Sequence, residues 1–325
     1  MSIFEVNPQN AMLWSRMNSR VAFGNAMYEI AKRDERVLVL TADVAASSGL
    51  EKLRDEMPGR VISCGIAEQN MICMAAGLAS EGYRVFAVSF APFASMRCFE
   101  PVRQYVGYMK ANVCVVGIAS GLSMGVGGNT HYGMEDIALM RTVPGMTVLS
   151  PADCTETVLM TEAAAGFTGP TYLRLTGVGG NPIVYKAPYE LEIGKAVTLK
   201  EGRDIALIGT GTMVNECIRA SRVLEKAGLS TAVIDMHTVK PLDTGAIDRV
   251  MGARLIVTAE EHSVIGGLGD AAASYLAERK NSPRLLKFGI NDAFLHAGDY
   301  PYMLEQTGLT ARAMADRILT TMEEN

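Results

Sequence analysis

Short runs of β-branched and apolar residues recur along the chain, each followed by a stretch with helical spacing, and this alternation constrains the fold more than any other feature. The first half carries runs at Val37–Asp43, Arg60–Cys64, Arg84–Phe90, Val113–Ala119, Met146–Leu149 and Thr171–Leu175. The second half repeats the pattern at Asp204–Gly211, Ser230–Met236, Arg254–Ala259 and Leu285–Ile290. Such alternation predicts parallel strands covered by helices, an α/β architecture of doubly wound sheets. In these sheets the ligand-handling residues sit beyond the carboxyl ends of the strands. Asp43, Glu68, Phe90 and the segment from Gly117 to His131 all fall there.

A chain of 325 residues exceeds one ordinary core, so two domains are expected. Between Gly177 and Gly194 the composition shifts to Gly, Pro and Asn, which marks a linker and divides the chain into a larger domain over 1–185 and a smaller one over 186–325. Residues 10–33 read as a single helix, with Met12, Leu13, Val21, Ala22, Ala26, Met27 and Ile30 keeping one face buried. Lys240-Pro-Leu-Asp243 reads as a turn that ends a strand and starts a helix at Asp243.

The charge balance excludes several classes of partner. With 35 acidic against 30 basic residues the net charge is −5, and no Lys/Arg block stands out, so neither nucleic acid nor an anionic membrane is an expected partner. The six cysteines form no C-x-x-C and no short spacing with the four histidines, which argues against a zinc site or a disulfide framework. Reduced, mostly buried thiols and an N-terminus without an export signal point to a cytoplasmic protein. Gly209-Thr-Gly211 follows a strand, but Val214 stands where a dinucleotide fingerprint needs its third glycine, so nicotinamide binding is not expected.

Three stretches carry chemistry. Glu68 lies just past a strand and in the first turn of a helix, where an acid is ordinarily favoured by the helix dipole and the free N–H groups alone. The segment Ser89-Phe-Ala-Pro-Phe-Ala-Ser-Met-Arg-Cys-Phe-Glu100, read as a loop after the third strand, offers Phe90, Phe93 and Phe99, any of which could equally be core. The glycine-rich segment Gly117–Asp136 ends near Thr130-His131, and a loop of about twenty residues inside a compact domain is usually functional.

Gly65-Ile-Ala-Glu-Gln-Asn-Met71, Ala75-Ala-Gly-Leu-Ala79 and Gly82-Tyr-Arg-Val-Phe86 resemble the pyrimidine-binding domain of the transketolase family of thiamine diphosphate enzymes, and the second half resembles the C-terminal domain of that family. The resemblance implies that Glu68 hydrogen-bonds a pyrimidine ring nitrogen of thiamine diphosphate and that Phe90 and Phe93 pack against the ring. Met96 stands where many members carry a third aromatic; Asp43 and Arg97 complete the expected cofactor-contacting set. His131, beside Thr130, corresponds to the histidine that hydrogen-bonds substrate hydroxyls, and Ser47 to a phosphate-contacting serine. Three positions depart from the family. Gly127 replaces an acid that contacts a donor hydroxyl, and Ala119 and Gly177 stand where a histidine and an arginine hold a sugar phosphate. Arg174 or Arg97 could substitute for the lost cations, or the terminal group of the substrate could differ.

The family's metal signature, Gly-Asp-Gly followed by an Asn pair, is absent, and Gly269-Asp-Ala fails at its third position. The resemblance therefore implies a split enzyme. This chain would be the C-terminal subunit, inactive alone and working as a heterotetramer of two such chains with two N-terminal subunits that bring a divalent metal, Mg or Ca, and the diphosphate site. The implied reaction moves a two-carbon ketol unit from a ketose, a sugar or sugar phosphate, to an aldehyde. A 2-oxo acid dehydrogenase β subunit, a deoxyxylulose-phosphate-synthase-like enzyme and a non-catalytic scaffold remain alternatives. Glu260-Glu-His262 also occurs in such β subunits and reads as an interface or turn element.

Overall fold

The computed structural model describes residues 4–177, 179 and 182–324. Among these residues twelve strands follow in chain order: β1 (Val37–Thr41), β2 (Val61–Ser63), β3 (Arg84–Phe90), β4 (Val113–Ser120), β5 (Thr147–Leu149), β6 (Thr171–Thr176), β7 (Val197–Lys200), β8 (Ile205–Gly209), β9 (Thr231–Asp235), β10 (Thr238–Lys240), β11 (Leu255–Ser263) and β12 (Arg284–Ile290). They build a seven-stranded sheet in the order β10-β5-β6-β4-β3-β1-β2 and a five-stranded sheet in the order β12-β11-β8-β9-β7. Every pairing is parallel except β10 with β5 and β7 with β9. The architecture is thus α/β with two doubly wound sheets, the larger mostly parallel.

The order β2-β1-β3 in the larger sheet reverses direction at β1, because the chain leaves β1 toward one edge and returns to β3 on its other side. The crevice at such a reversal lies past the carboxyl ends of β1 and β3, and residues that follow those two strands share it. Parallel strands buried on both faces need near-continuous apolar sequence, and β4 and β6 meet this need with Val113, Cys114, Val115, Val116, Leu173 and Leu175, all inaccessible to solvent.

The two sheets are not independent. Strand β10, from the second half of the chain, closes one edge of the first sheet by pairing Thr238 with Leu149 and Lys240 with Val148. A single buried apolar cluster runs from Val85, Val115 and Tyr172 through Met140, Val148 and Val239 to Ile208, Ile234 and Leu268. The antiparallel strands β7 and β10 are short and lie at sheet edges, and neither stands out as an apolar run. Part of the expected linker, Val178, Gly180 and Asn181, lies outside the described residues.

Two local expectations need correction. Residues 10–33 are not one helix: Pro8–Ser15 and Ser19–Ala31 are separate, with Asn18 between them in extended conformation. The Asn18 side chain accepts from Val21 N at 3.0 Å and caps the second helix, while its backbone bridges Gly179. The segment after β3 is not a loop either. It turns directly into wide helical turns over Phe93–Arg97 and Val102–Tyr108, the five-residue spacing often found near functional sites. Asp243 caps the helix Thr244–Asp248 through Ala246 N at 3.1 Å, as the sequence suggests. All six cysteines are free, and among the described residues no helix is long and apolar enough to cross a membrane.

Candidate active site

Glu68 is the first residue of the helix Glu68–Ser80 and is only 4% exposed. Ala67 supplies no side-chain cap, so the orphan N–H groups of the first turn contribute a partial positive charge beside the carboxylate. A buried carboxylate requires specific partners. The partner here is Arg97, whose Nη1 donates to Oε1 at 2.9 Å and to Oε2 at 3.0 Å. The Arg97 guanidinium lies 4.1 Å from the centroid of the Phe93 ring, and its backbone carbonyl accepts from Gln69 Nε2 at 3.0 Å. The wide turn after β3 thus faces the start of the Glu68 helix at two points.

Around this pair stand three rings. Phe90 and Phe93 meet edge to face with centroids 6.0 Å apart and planes at 89°. The His131 imidazole lies 5.6 Å from Phe93 and 6.3 Å from Phe90. Its Nδ1 shares a 2.9 Å hydrogen bond with Thr130 Oγ1, which leaves Nε2 to face other groups. Glu68, Arg97, Phe90, Phe93, Thr130 and His131 therefore converge, although 63 residues separate the first from the last in sequence.

The remaining candidates are arranged differently. Met96 sits on the same wide turn but is 42% exposed. Asp43 and Ser47 are exposed on the segment that follows β1. Asp43 holds φ at +60°, a conformation costly for a residue with a Cβ, and such strain concentrates at functional positions. Ala119, at the end of β4, holds φ at +53°. A Cβ added at Gly177 would lie 3.3 Å from the Ala119 Cβ and 3.1 Å from Ser123 Oγ, and one at Gly127 would lie 3.6 Å from the His131 Cβ. The two positions expected to hold phosphate are thus neighbours, and both are small.

Neither proposed substitute cation is free. Arg174 is buried, donating from Nε to Asp136 Oδ2 at 2.9 Å and from Nη2 to the carbonyls of Gly133 and Glu261. Arg97 is engaged with Glu68. One cation that the sequence analysis missed is Arg20, at the start of the helix Ser19–Ala31. Its half-buried guanidinium has a buried Nε without a hydrogen-bond partner among the described residues, and burial lowers its pKa. The helix start packs on the segment after β1, where a Cβ at Gly49 would fall 2.8 Å from Val21 Cα. No motif advertises Arg20; its isolation is visible only in three dimensions.

Cys98 is not a nucleophile. Burial, reinforced by the negative charge of Glu68, pushes its thiol up to about 12, and its Sγ contacts the Phe93 carbonyl at 3.0 Å. No group of three or more His, Cys, Asp or Glu suited to hold a metal ion occurs among the described residues. What the cluster can do is bind a flat ring between aromatic faces and edges while a buried carboxylate meets a ring nitrogen. This donor set fits the aminopyrimidine end of thiamine diphosphate.

Residues 15–177 match the transketolase pyrimidine-binding domain, and residues 194–314 match the transketolase C-terminal domain. A putative transketolase C-terminal section from Methanocaldococcus jannaschii is 39% identical over 307 residues, covering 94% of this chain and 96% of that protein. The 6-deoxy-6-sulfo-D-fructose transketolase subunit SqwH of a Clostridium species is 40% identical over 294 residues, 90% of this chain and 91% of that one. Among solved structures, a split-gene transketolase described as an inactive β4 tetramer superimposes with a TM-score of 0.84 at 36% identity, covering 94% of this chain and 97% of that chain. The chain belongs to the transketolase family of thiamine diphosphate enzymes and joins the pyrimidine-binding domain to the C-terminal domain, as the C-terminal sections of split transketolases do.

Proposed function

We propose that this chain is the C-terminal subunit of a two-subunit transketolase that moves a two-carbon ketol unit from a ketose to an aldehyde. Its partner is a separate N-terminal subunit that holds the diphosphate and a divalent metal, Mg or Ca, and the two form a heterotetramer with two copies of each. Alone, the chain is inactive. The single observation that carries this reading is the buried Glu68 carboxylate standing with the Phe90–Phe93 pair and His131. The free thiols fit a reducing, cytoplasmic setting. We take the division between the domains near 185 and 186, within the segment that joins β6 to β7.

Thiamine diphosphate, when bound, supplies the nucleophilic carbon that takes up the two-carbon unit. The protein's part is orientation and proton control. Glu68 would hold the pyrimidine through a hydrogen bond to a ring nitrogen, and the cofactor would supply its exocyclic nitrogen as the proton acceptor. Phe90 and Phe93 hold the ring, with Met96 and Arg97 on the adjoining turn and Asp43 at the neighbouring strand end. His131, steadied by Thr130, donates to substrate hydroxyls through the nitrogen that Thr130 leaves free. Ser47 contacts the far end of the substrate, and Arg20, whose Nε lacks a hydrogen-bond partner among the described residues, starts the helix packed on the segment that carries Ser47.

The small pair Ala119 and Gly177 supports a substrate whose terminal group is not held in the usual way. Losing two charge-assisted phosphate contacts costs on the order of 1.5 to 3 kcal/mol each unless they are replaced. A related subunit is named for a sulfonated ketose. The test is to purify the chain with its N-terminal partner and thiamine diphosphate and to assay fructose 6-phosphate, fructose and 6-deoxy-6-sulfofructose as donors. We expect turnover with at least one donor, none from the chain alone, and a loss of about 100-fold or more for Glu68→Gln, the scale of a displaced proton-handling group. Unchanged turnover in Glu68→Gln means a scaffold; pyruvate decarboxylation without ketol transfer means a 2-oxo acid enzyme or synthase.

A further inference from the structure

The segment that carries His131 is rich in glycine, with Gly121, Gly125 and Gly128 all at positive φ, so its own backbone preferences do little to fix it. Among the described residues the hydrogen bonds of His131 are local, its backbone N–H to the Gly128 carbonyl at 2.9 Å and its ring to Thr130, beside the ring contacts with Phe90 and Phe93. Two contacts from the second half of the chain hold the ends of this segment. At its start, the buried Glu261 accepts Leu122 N on Oε1 at 2.6 Å, while Oε2 accepts Thr212 Oγ1 at 2.7 Å and the Tyr300 hydroxyl at 2.6 Å. A Cβ at Gly121 would fall 2.2 Å from Glu261 Oε1, so the carboxylate fits only against glycine. At its end, the Asn129 side chain makes two bonds to one residue: Oδ1 accepts Leu295 N at 3.0 Å, and Nδ2 donates to the Leu295 carbonyl at 2.8 Å. Between them, the Tyr132 hydroxyl donates to the Gly125 carbonyl and meets Met303 Sδ at 3.7 Å.

We propose that the C-terminal domain works as a two-ended clasp that sets the His131 segment against the Phe90–Phe93 rings, with Asn129 as the positioning residue at the histidine end. The inference rests on the assignment of His131 to substrate contact. Asn129 lies two residues from His131, and its side chain bonds Leu295. Its amide mimics the paired N–H and C=O of a neighbouring strand, so both of its functions are needed at once.

Asn129 variants in the complex with the N-terminal subunit test this, using whichever of the three donors turns over fastest. Removing two hydrogen bonds of ordinary strength predicts a KM for that donor raised roughly 5- to 30-fold in Asn129→Ala, with a smaller fall in kcat and unchanged affinity for thiamine diphosphate. Asn129→Asp should match the Ala variant, because its second oxygen would face the Leu295 carbonyl, whereas Asn129→Gln should recover part of the loss. Amide hydrogen exchange over 121–131 should quicken in the Ala and Asp variants while Tm stays within a degree or two. Unaltered exchange and kinetics in Asn129→Ala overturn the clasp, as does a lowered Tm with weakened cofactor binding, which marks a folding role. His131→Ala is the control for the assignment beneath it. If that variant leaves KM and kcat unchanged, His131 does not contact substrate, and the exchange data still judge the clasp.

Discussion

The pairing of Arg97 with Glu68 gives the site a conflict at the scale of single residues. One guanidinium nitrogen meets both carboxylate oxygens and the same group covers Phe93, so a pyrimidine that hydrogen-bonds Glu68 and packs on Phe93 draws on surfaces that Arg97 already uses. Arg97 is 47% exposed while Glu68 is buried, so the arginine half of the pair is open to solvent, and we take its hold as about 1 kcal/mol. Arg97→Ala should therefore tighten thiamine diphosphate binding to the two-subunit complex by roughly 2- to 5-fold, the equivalent of that energy. Isothermal titration reads the change directly; weaker binding instead means that Arg97 supports the carboxylate. Glu68, Phe90, Phe93 and His131 could be picked out in sequence because each stands in a stretch that resembles the family's, and the structure brings Phe90, Phe93 and His131 together. The Arg97 contact could not be picked out, because it joins a wide helical turn to a helix start and no local pattern encodes such a meeting. Arg20 was missed for a related reason, since an unpartnered buried nitrogen has no sequence signature.

At the scale of elements, one carboxylate ties a helix to the segment between the domains. Asp153 caps the helix Cys154–Gly166 through Glu156 N at 2.7 Å, and its second oxygen accepts Val184 N at 2.7 Å and Tyr185 N at 2.9 Å. An ordinary cap is worth about 1 kcal/mol. Asp153 is buried and satisfies two further N–H groups that would otherwise lack partners, so Asp153→Ala should cost about 2 to 4 kcal/mol in urea unfolding, clearly more than a cap alone. A loss near 1 kcal/mol would mean that water replaces those two bonds. The same element shows what pattern reading sees and misses. Long apolar runs such as β3 and β4 are unmistakable because both faces are buried, and their residues are read off directly. Edge strands β7 and β10 have only three or four residues and take their conformation from a neighbour, so periodicity cannot announce them. The break at Asn18 was likewise hidden, since a residue that caps one helix looks acceptable within a longer one.

For the whole molecule, stability should respond to pH through a pair of acids buried where the two halves meet. Glu156, from the helix after β5, and Asp235, at the end of β9, are both fully buried and each acts on the titration of the other, and Asp235 Oδ1 has no hydrogen-bond partner among the described residues. Tyr185 donates to Asp235 Oδ2 at 2.6 Å, Tyr189 donates to Glu156 Oε1 at 2.7 Å, and Ala152 N bonds Glu156 Oε2 at 2.6 Å. The tyrosine rings stack 4.1 Å apart across the pair, Asp153 adds a further negative charge, and the Cys217 thiol lies within reach of the Asp235 charge. Two carboxyls so placed cannot both ionise at low cost, and the pair keeps a proton. Burial raises Asp235 from 3.8 to about 7 and raises Glu156 as well. Between about pH 4 and 7 the folded state then binds more protons than the unfolded chain, so stability falls as pH rises through that window and levels off above it. Asp235→Asn keeps an acceptor for Tyr185 and removes the titration. The difference in urea midpoint between the parent and Asp235→Asn should shift in favour of the variant from pH 5 to pH 8, by on the order of 2 kcal/mol in free energy. A difference that stays constant across that range would show that the pair holds no shared proton and that the junction between the halves is insensitive to it.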